Sequence, residues 1–421
     1  MFPSRRQNLA ALLLLGLFVT ALAAKSWSLA RMPVGPYARP GTGCVVFRTL
    51  AGATDFASGT LDRARTDETG ALILDTAGGL EAGADSAGQY NGGAFLFGTY
   101  LSPAWDTGAA VDSVVASWSA DTPDGTWLRV DARALQGGVW TRYYTVGVWA
   151  SGTSVLSRRN GGPQEDENGL VDTDALTLKR SASAVQLRVT LFTADPGLTP
   201  RLRRLSVVAT GPAPAEGAAG PARMSGDAVV SPLWRPAWGT DLAVPERRQN
   251  DFPDGGGWCS PASVSMLLAF WAGRAGNDAW DRPVPEVAAG VTDHEYGGTG
   301  NWVFNTAYAA SLGLDTYVTR FVSLAGVERW IAAGVPVAIN IEFGTGELDG
   351  APMPSSDGHI IVIRGFDRKG DPITNDPAAR ADQREKVRIV YDREQLERAW
   401  LGRPTGTAYI ILPPGYPTPS W

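Results

Sequence analysis

Gly255-Gly256-Gly257-Trp258-Cys259-Ser260-Pro261 opens the stretch on which the fold turns, because the residues after it take up a helical period. Val264, Leu267, Leu268 and Trp271 fall at i, i+3, i+4 and i+7. That is one apolar stripe of a helix starting near Ser260, with Pro261 in the first turn, where its missing N–H would have had no partner. Cys259 therefore stands at a helix N-terminus, where unpaired backbone N–H groups and the positive end of the helix dipole favour thiolate over thiol. The glycines before it let backbone approach a substrate closely. The residue is read as a nucleophile, against two plainer roles: an inert packed thiol, or one end of a disulfide to Cys44, the only other cysteine.

Downstream the pattern is helices first and sheet afterwards. Helices are expected at about 302–312 and 325–333, ending at Gly313 and Gly334. Strands follow at 335–343, 360–364, 373–375, 387–390 and 408–412, with a helix near 393–401 inserted before the last. Upstream, from about 43 to 210, the chain reads as short strands broken by turns. Leu128, Val130, Ala132 and Ala134 share one face, while Trp127, Arg129, Asp131 and Arg133 share the other. Val185, Leu187, Val189 and Leu191 repeat the alternation, and residues 141–150 and 202–209 add two further candidates. Many strands without a convincing helix argue for an antiparallel sandwich. Residues 211–226, rich in Gly, Pro and Ala, read as a linker. The fold class is thus multidomain: an all-β antiparallel sandwich at 43–210 and an α+β domain at 227–416, each with its own core as the 421-residue length suggests.

Residues 1–24 carry Arg5-Arg6, the apolar run Leu12-Leu13-Leu14-Leu15 and small residues before Lys25, the pattern of a signal peptide. Its apolar part is shorter than the roughly 20 residues that span a bilayer. A secreted or extracytoplasmic protein, free of the membrane after cleavage, is expected. With 37 basic against 43 acidic side chains the net charge is −6, which excludes electrostatic nucleic-acid binding.

A thiolate nucleophile needs a base that can also protonate the leaving group. Of the two histidines, His294 lies in the polar run Asp293-His294-Glu295-Tyr296 and reads as a surface residue. His359 follows Gly358 at the mouth of the apolar run Ile360-Ile361-Val362-Ile363 and is the candidate base. Asp376, 17 residues on in Asn375-Asp376-Pro377, is placed for a hairpin to return it beside His359, with Asn375 as the alternative orienting residue. Two histidines and two cysteines leave little from which to assemble a zinc site, so no metal and no cofactor is expected. Glu165-Asp166-Glu167-Asn168-Gly169, with Asp172 and Asp174, offers oxygens that calcium could use, but a solvated loop is the plainer reading. Trp105, Trp118, Trp127, Trp140 and Trp149 could form a sugar platform, although strand aromatics more often pack in a core.

Gln249-Asn250-Asp251-Phe252, then Trp258-Cys259-Ser260-Pro261, then Gly358-His359 and Asn375-Asp376-Pro377-Ala378 together resemble the papain-like C39-type cysteine peptidases, whose better-known relatives cut leader peptides after a double glycine. The resemblance covers about 240–413 and is closest to the secreted, stand-alone branch. It implies a papain-like fold, Cys259 as nucleophile, His359 as general base and acid, Asp376 as the orienting residue, and Gln249 as a donor to the oxyanion. No Gly-x-x-x-x-Gly-Lys-Ser/Thr motif is present, so transporter-coupled processing is not implied. The function expected is an exported cysteine hydrolase acting on a peptide or protein substrate, with the sandwich reaching a cell-surface polymer. A catalytically silent adhesion or carbohydrate-binding protein, and a hydrolase of cell-wall peptides, are the alternatives.

Overall fold

Alternation along 126–136 gives a strand whose Leu128, Val130, Ala132 and Ala134 are buried while Arg129 and Arg133 on the other face are half-exposed. The computed structural model describes residues 44–154, 156–211, 233–402 and 405–419. The expected signal peptide and almost all of the expected linker lie outside the described residues.

The N-terminal half is antiparallel and almost without helix. Its main strands are β1 (Cys44–Ala51), β2 (Ala94–Leu101), β3 (Trp105–Asp121), β4 (Thr126–Gln136), β5 (Tyr144–Trp149), β6 (Gly169–Asp172), β7 (Ala175–Thr193) and β8 (Arg201–Gly211). They form one hydrogen-bonded network, because the longest strands change partner along their length. The start of β7 pairs with β3, while Ala184–Thr193 lie against β4 on one side and, from Arg188 on, against β2 on the other. β3 in turn pairs with β8, which carries β1 on its far side.

The C-terminal half begins with α1 (Cys259–Ala275), α2 (Val284–Val291) and α3 (Trp302–Ser311). β9 (Asp315–Arg320), α4 (Leu324–Ala332), β10 (Val337–Phe343), β11 (Ser356–Phe366), β12 (Pro372–Asn375), β13 (Arg388–Val390), α5 (Arg393–Leu401) and β14 (Thr407–Leu412) follow. The strands build an antiparallel sheet in the order β9-β14-β10-β11-β12-β13. Two elements, α2 and β9, were not anticipated from the pattern. β11 also begins earlier than the apolar run, so His359 sits within the strand and not at its mouth.

One large apolar core runs through both halves, where length alone suggested one core for each, and a smaller cluster of Trp127, Val148, Ala150, Leu156 and Phe192 lies apart from it in the N-terminal half. Ser117 and Ser119 of β3 face β9: Val318 N donates to Ser117 Oγ at 3.1 Å and Ser119 Oγ donates to the Thr316 carbonyl at 3.1 Å. Arg320, 3% exposed, donates to Ser113 Oγ and Thr210 Oγ1. The Phe304 ring on α3 packs against Trp118 and Trp149 of the N-terminal half. The described residues of the two halves therefore form one compact unit.

Candidate active site

The segment before α1 folds tightly for a steric reason. A Cβ on Gly255 would lie 1.7 Å from the Gln249 carbonyl oxygen, so only glycine allows the 249–251 turn to close on the 255–257 turn. Gly256 and Gly257 have open space around them. Gln249 is 4% exposed; its Nε2 donates to the Gly256 carbonyl at 3.1 Å, its Oε1 is buried without a partner, and its backbone N donates to the Pro377 carbonyl. Asn250 Nδ2 donates to the Ala378 carbonyl. The Gln249 turn is thus braced by the loop that carries Asp376.

Cys259 is the first residue of α1, half-buried, and the N-cap residue Trp258 provides no side-chain cap. The N–H groups of Ser260 and Ile360 point at its sulfur. Ser263 Oγ donates to the Ile360 carbonyl at 3.0 Å, and Ser260 Oγ pairs with the Tyr409 hydroxyl. These bonds pin the helix start to Ile360, beside His359, and to Tyr409 of β14.

His359, 2% exposed, pairs across the ladder with Ile341. β12 returns antiparallel to β11 and ends at Asn375, so the next residue, Asp376, arrives beside the imidazole. His359 Nε2 lies 2.8 Å from Asp376 Oδ1, which leaves Nδ1 for the Cys259 thiol hydrogen bond. Asp376, 1% exposed, also accepts from Ala378 N at 2.9 Å and, on Oδ2, from the Tyr391 hydroxyl at 2.8 Å. Asn375, the alternative orienting residue, faces elsewhere: its Oδ1 accepts from Arg364 Nη1 and its Nδ2 donates to the Val244 and Pro245 carbonyls.

The charges reinforce one another. Burial would raise the Cys259 thiol, but the His359 hydrogen bond and charge, with the two N–H groups, hold it below its ordinary value. Burial would lower His359, but the Asp376 charge and hydrogen bond, with those of Cys259, hold it well above the usual histidine range. Asp376 is kept low against burial by His359, Ala378 N and Tyr391. Both shifts favour the thiolate–imidazolium form of the pair over the neutral one.

One side of the site is built with help from the N-terminal half. Buried Asp293 accepts from Glu295 N, Tyr296 N and Asn301 Nδ2, and from Asn160 N of the preceding half. Thr299 Oγ1 donates to the Gly257 carbonyl at 2.9 Å, and exposed Tyr296 lies within electrostatic reach of Cys259. Asp174, from the β6–β7 turn, accepts the Trp302 backbone N–H at the start of α3. Its burial, with Asp172 and Asp293 nearby, raises its carboxyl to about 7, although Trp302 N and Arg320 act the other way.

Of the four residues that sequence reasoning brought forward, Cys259, His359 and Asp376 are joined through the imidazole, and Gln249 lies on the turn whose backbone N donates to Pro377, next to Asp376. That reasoning passed over Tyr391, Ser263 and Thr299, whose roles depend on distant partners and leave no spacing signal, and it read Asp174 only as part of the acidic loop. His294 is exposed on the 293–300 loop. The acidic loop is already occupied by protein partners: Asp166 accepts from Tyr144, Arg142, Asn168 N and Gly169 N, and Glu165 pairs with Lys179. The tryptophan platform is corrected, since Trp118, Trp127 and Trp149 are wholly buried and present no face to solvent.

Two family models match the chain. The Peptidase C39 N-terminal domain matches residues 46–210, and the Peptidase C39 like family matches residues 241–406. No curated protein matches it in sequence. Among solved structures, one reported as a C39-like peptidase from Bacillus anthracis is 19% identical, covers 41% of this chain and 96% of its own, and has a TM-score of 0.28. The laminarinase from Rhodothermus marinus is 10% identical, covers 42% of this chain and 96% of its own, and has a TM-score of 0.18. The insecticidal crystal protein Cry2Aa is 14% identical over 39% of this chain and 22% of its own, with a TM-score of 0.19. At TM-scores this low the likenesses carry no argument about this chain.

Proposed function

Because the chain belongs to the C39-like peptidase family, we propose that it is an exported cysteine peptidase whose residues 227–416 form a papain-like domain and whose triad is Cys259, His359 and Asp376. The observation that carries this reading is the single imidazole shared by a buried carboxylate on one nitrogen and a helix-start thiol on the other.

In the reaction Cys259 Sγ attacks the carbonyl carbon of a peptide or amide bond. The carbonyl electrons move to oxygen, giving a tetrahedral oxyanion. Gln249 Nε2 carries two N–H bonds; Gly256 holds one, and the other is directed at the oxyanion together with the free N–H of the helix start. Collapse breaks the C–N bond as His359 Nδ1 delivers its proton to the leaving amine, leaving a thioester. Water then attacks the thioester, His359 takes its proton, and the acid product leaves as the thiolate returns. Asp376 stabilises the imidazolium and fixes the ring without becoming protonated. The pattern of residues 1–24 supports the exported part of this reading.

The test is iodoacetamide labelling of the mature protein from pH 4 to 9, followed by intact mass and peptide mapping, alongside digestion of a mixed peptide library. Rapid labelling of Cys259 well below the ordinary thiol pKa of about 8.5, lost in His359→Ala, and library cleavage lost in Cys259→Ala are the expected results. A Cys259 that labels only near pH 8 to 9 would overturn the reading.

A further inference from the structure

The outward face of the N-terminal sheet is ordered in rows. Register places Phe97, Phe192 and Trp127 in one row across β2, β7 and β4; Thr99, Thr190 and Arg129 in the next; and Leu101, Arg188 and Asp131 in the third. Side chains two residues apart on a strand share a face at about 7 Å spacing, so an aromatic band grades into a guanidinium band over the length of one or two sugar units. A groove of about 400 Å³ runs over these rows, lined by Tyr90, Phe95, Phe97 and Phe192 on one side and Arg129 and Arg188 on the other.

Both walls are built in place. Trp127 stacks on Phe192 at 5.3 Å and 7°, and Phe95 and Tyr90 pack edge-on and tilted against that pair, so half-buried Phe95, Phe97 and Tyr90 are the faces left to the groove. Tyr90 is delivered by a loop that Asp85 holds through three backbone N–H groups, and its hydroxyl accepts from Arg129 Nη1 at 2.8 Å. Asp131, 1% exposed, accepts from Arg129 Nε, from Arg188 Nε and Nη2, and from Thr145 Oγ1. Arg188 also lies over the Tyr143 ring at 4.0 Å. One buried carboxylate thus fixes two guanidiniums, a cluster with one positive charge in excess and outer N–H groups beside the groove, while Asp62, also in the lining, is engaged by Arg63 at 2.9 Å.

We propose that this groove binds a saccharide chain bearing carboxylates. Electron-rich ring faces suit the electropositive C–H faces of a sugar, and a pre-set guanidinium pair suits a carboxylate on the same or the next unit. Exposed rings alone would fit any apolar partner; the Arg129–Arg188 pair, one positive charge in excess of Asp131, selects an anionic one, and the three threonines Thr60, Thr99 and Thr190 of the lining supply hydroxyls for its hydroxyls.

The mature full-length protein is titrated calorimetrically with hexagalacturonate, with a neutral hexasaccharide of xylose, and with oligoglutamate. Hexagalacturonate is expected to bind at least tenfold more tightly than either of the others. Phe95→Ala and Arg188→Lys, which keeps a cation beside Asp131, are each expected to weaken it about tenfold, with thermal transitions confirming that both variants fold. Cys259→Ala should bind as wild type, which separates this result from the fate of the proposed peptidase activity. Equal binding of the neutral sugar, equal binding of oligoglutamate, no binding at all, or binding unchanged in both folded groove variants would each overturn the proposal.

Discussion

Cys44 and Cys259 are both free thiols, and their surroundings make opposite use of the same atom. Cys44 opens β1 opposite Gly211, is 6% exposed, and gives its S–H to the Ala110 carbonyl. Burial dominates there and raises the thiol, with the Asp112 charge acting the same way. Cys259 is more exposed, yet His359 and two backbone N–H groups hold its thiolate against desolvation. What favours the thiolate in this chain is therefore an adjacent charge and aligned N–H groups, and not exposure or being a cysteine.

The largest expected effects separate the two thiols. Cys259→Ala should abolish turnover, on the order of 10⁴-fold or more, while Cys44→Ala leaves kcat within about twofold; comparable losses in both would erase the distinction. Next comes the pH profile of kcat/KM. The thiolate is needed, so activity falls as pH drops through the Cys259 value, which lies below the ordinary thiol range. The imidazolium is needed, so activity falls again as pH rises through the His359 value, which lies above its ordinary one. Asp376→Asn removes the charge that raises His359, so the upper limb should move to lower pH and kcat drop about 10²- to 10⁴-fold. An unmoved upper limb would show that another group holds the imidazole.

The contrast between the thiols was legible in part. Helix period after Trp258 placed Cys259, and an apolar run after His359 placed a strand there, because each pattern reports local burial. β9 escaped notice since Thr316, Thr319 and Arg320 are polar yet buried. Ser119 donates to the Thr316 carbonyl, Ser117 accepts from Val318 N, and Ser113 and Thr210 accept from Arg320, all from more than a hundred residues away. α2 was hidden by Pro285 and Gly290 in an eight-residue span. The tryptophans misled for the converse reason: amphipathic rings on strands read as available for ligands, but Trp118 and Trp149 fill the core beneath α3. Tyr391 could not be inferred, because nothing local says that its hydroxyl meets Asp376 across the sheet.

Tyr391 gives the next test. Tyr391→Phe removes the donor to Asp376 Oδ2 and leaves a buried carboxylate oxygen without a partner. About 1–3 kcal/mol of stability should go, with the Asp376 carboxyl rising and the upper activity limb moving down. Iodoacetamide labelling of Cys259 should slow several-fold at pH 6, while Cys44 stays unlabelled until the protein unfolds. Slowing at neither thiol would leave Tyr391 a packing residue only.

The smallest effect reaches Cys259 from the N-terminal half. Asp174 caps the start of α3, the helix that follows the loop in which Thr299 ties down Gly257. Its folded value of about 7 lies above an ordinary aspartate. Between about pH 4 and 7 the folded state keeps a proton that the unfolded chain has released, so Asp174 makes stability decline as pH rises, by up to about 1.4 kcal/mol per unit. Asp376 has the opposite slope at lower pH, because its folded value is depressed. Asp174→Asn keeps an acceptor for Trp302 N–H but cannot ionise, so its melting temperature should fall less between pH 5 and 7 than that of the wild type. Labelling of Cys259 should shift slightly and that of Cys44 not at all; equal pH slopes in the two proteins would mean that Asp174 is ionised in the folded state.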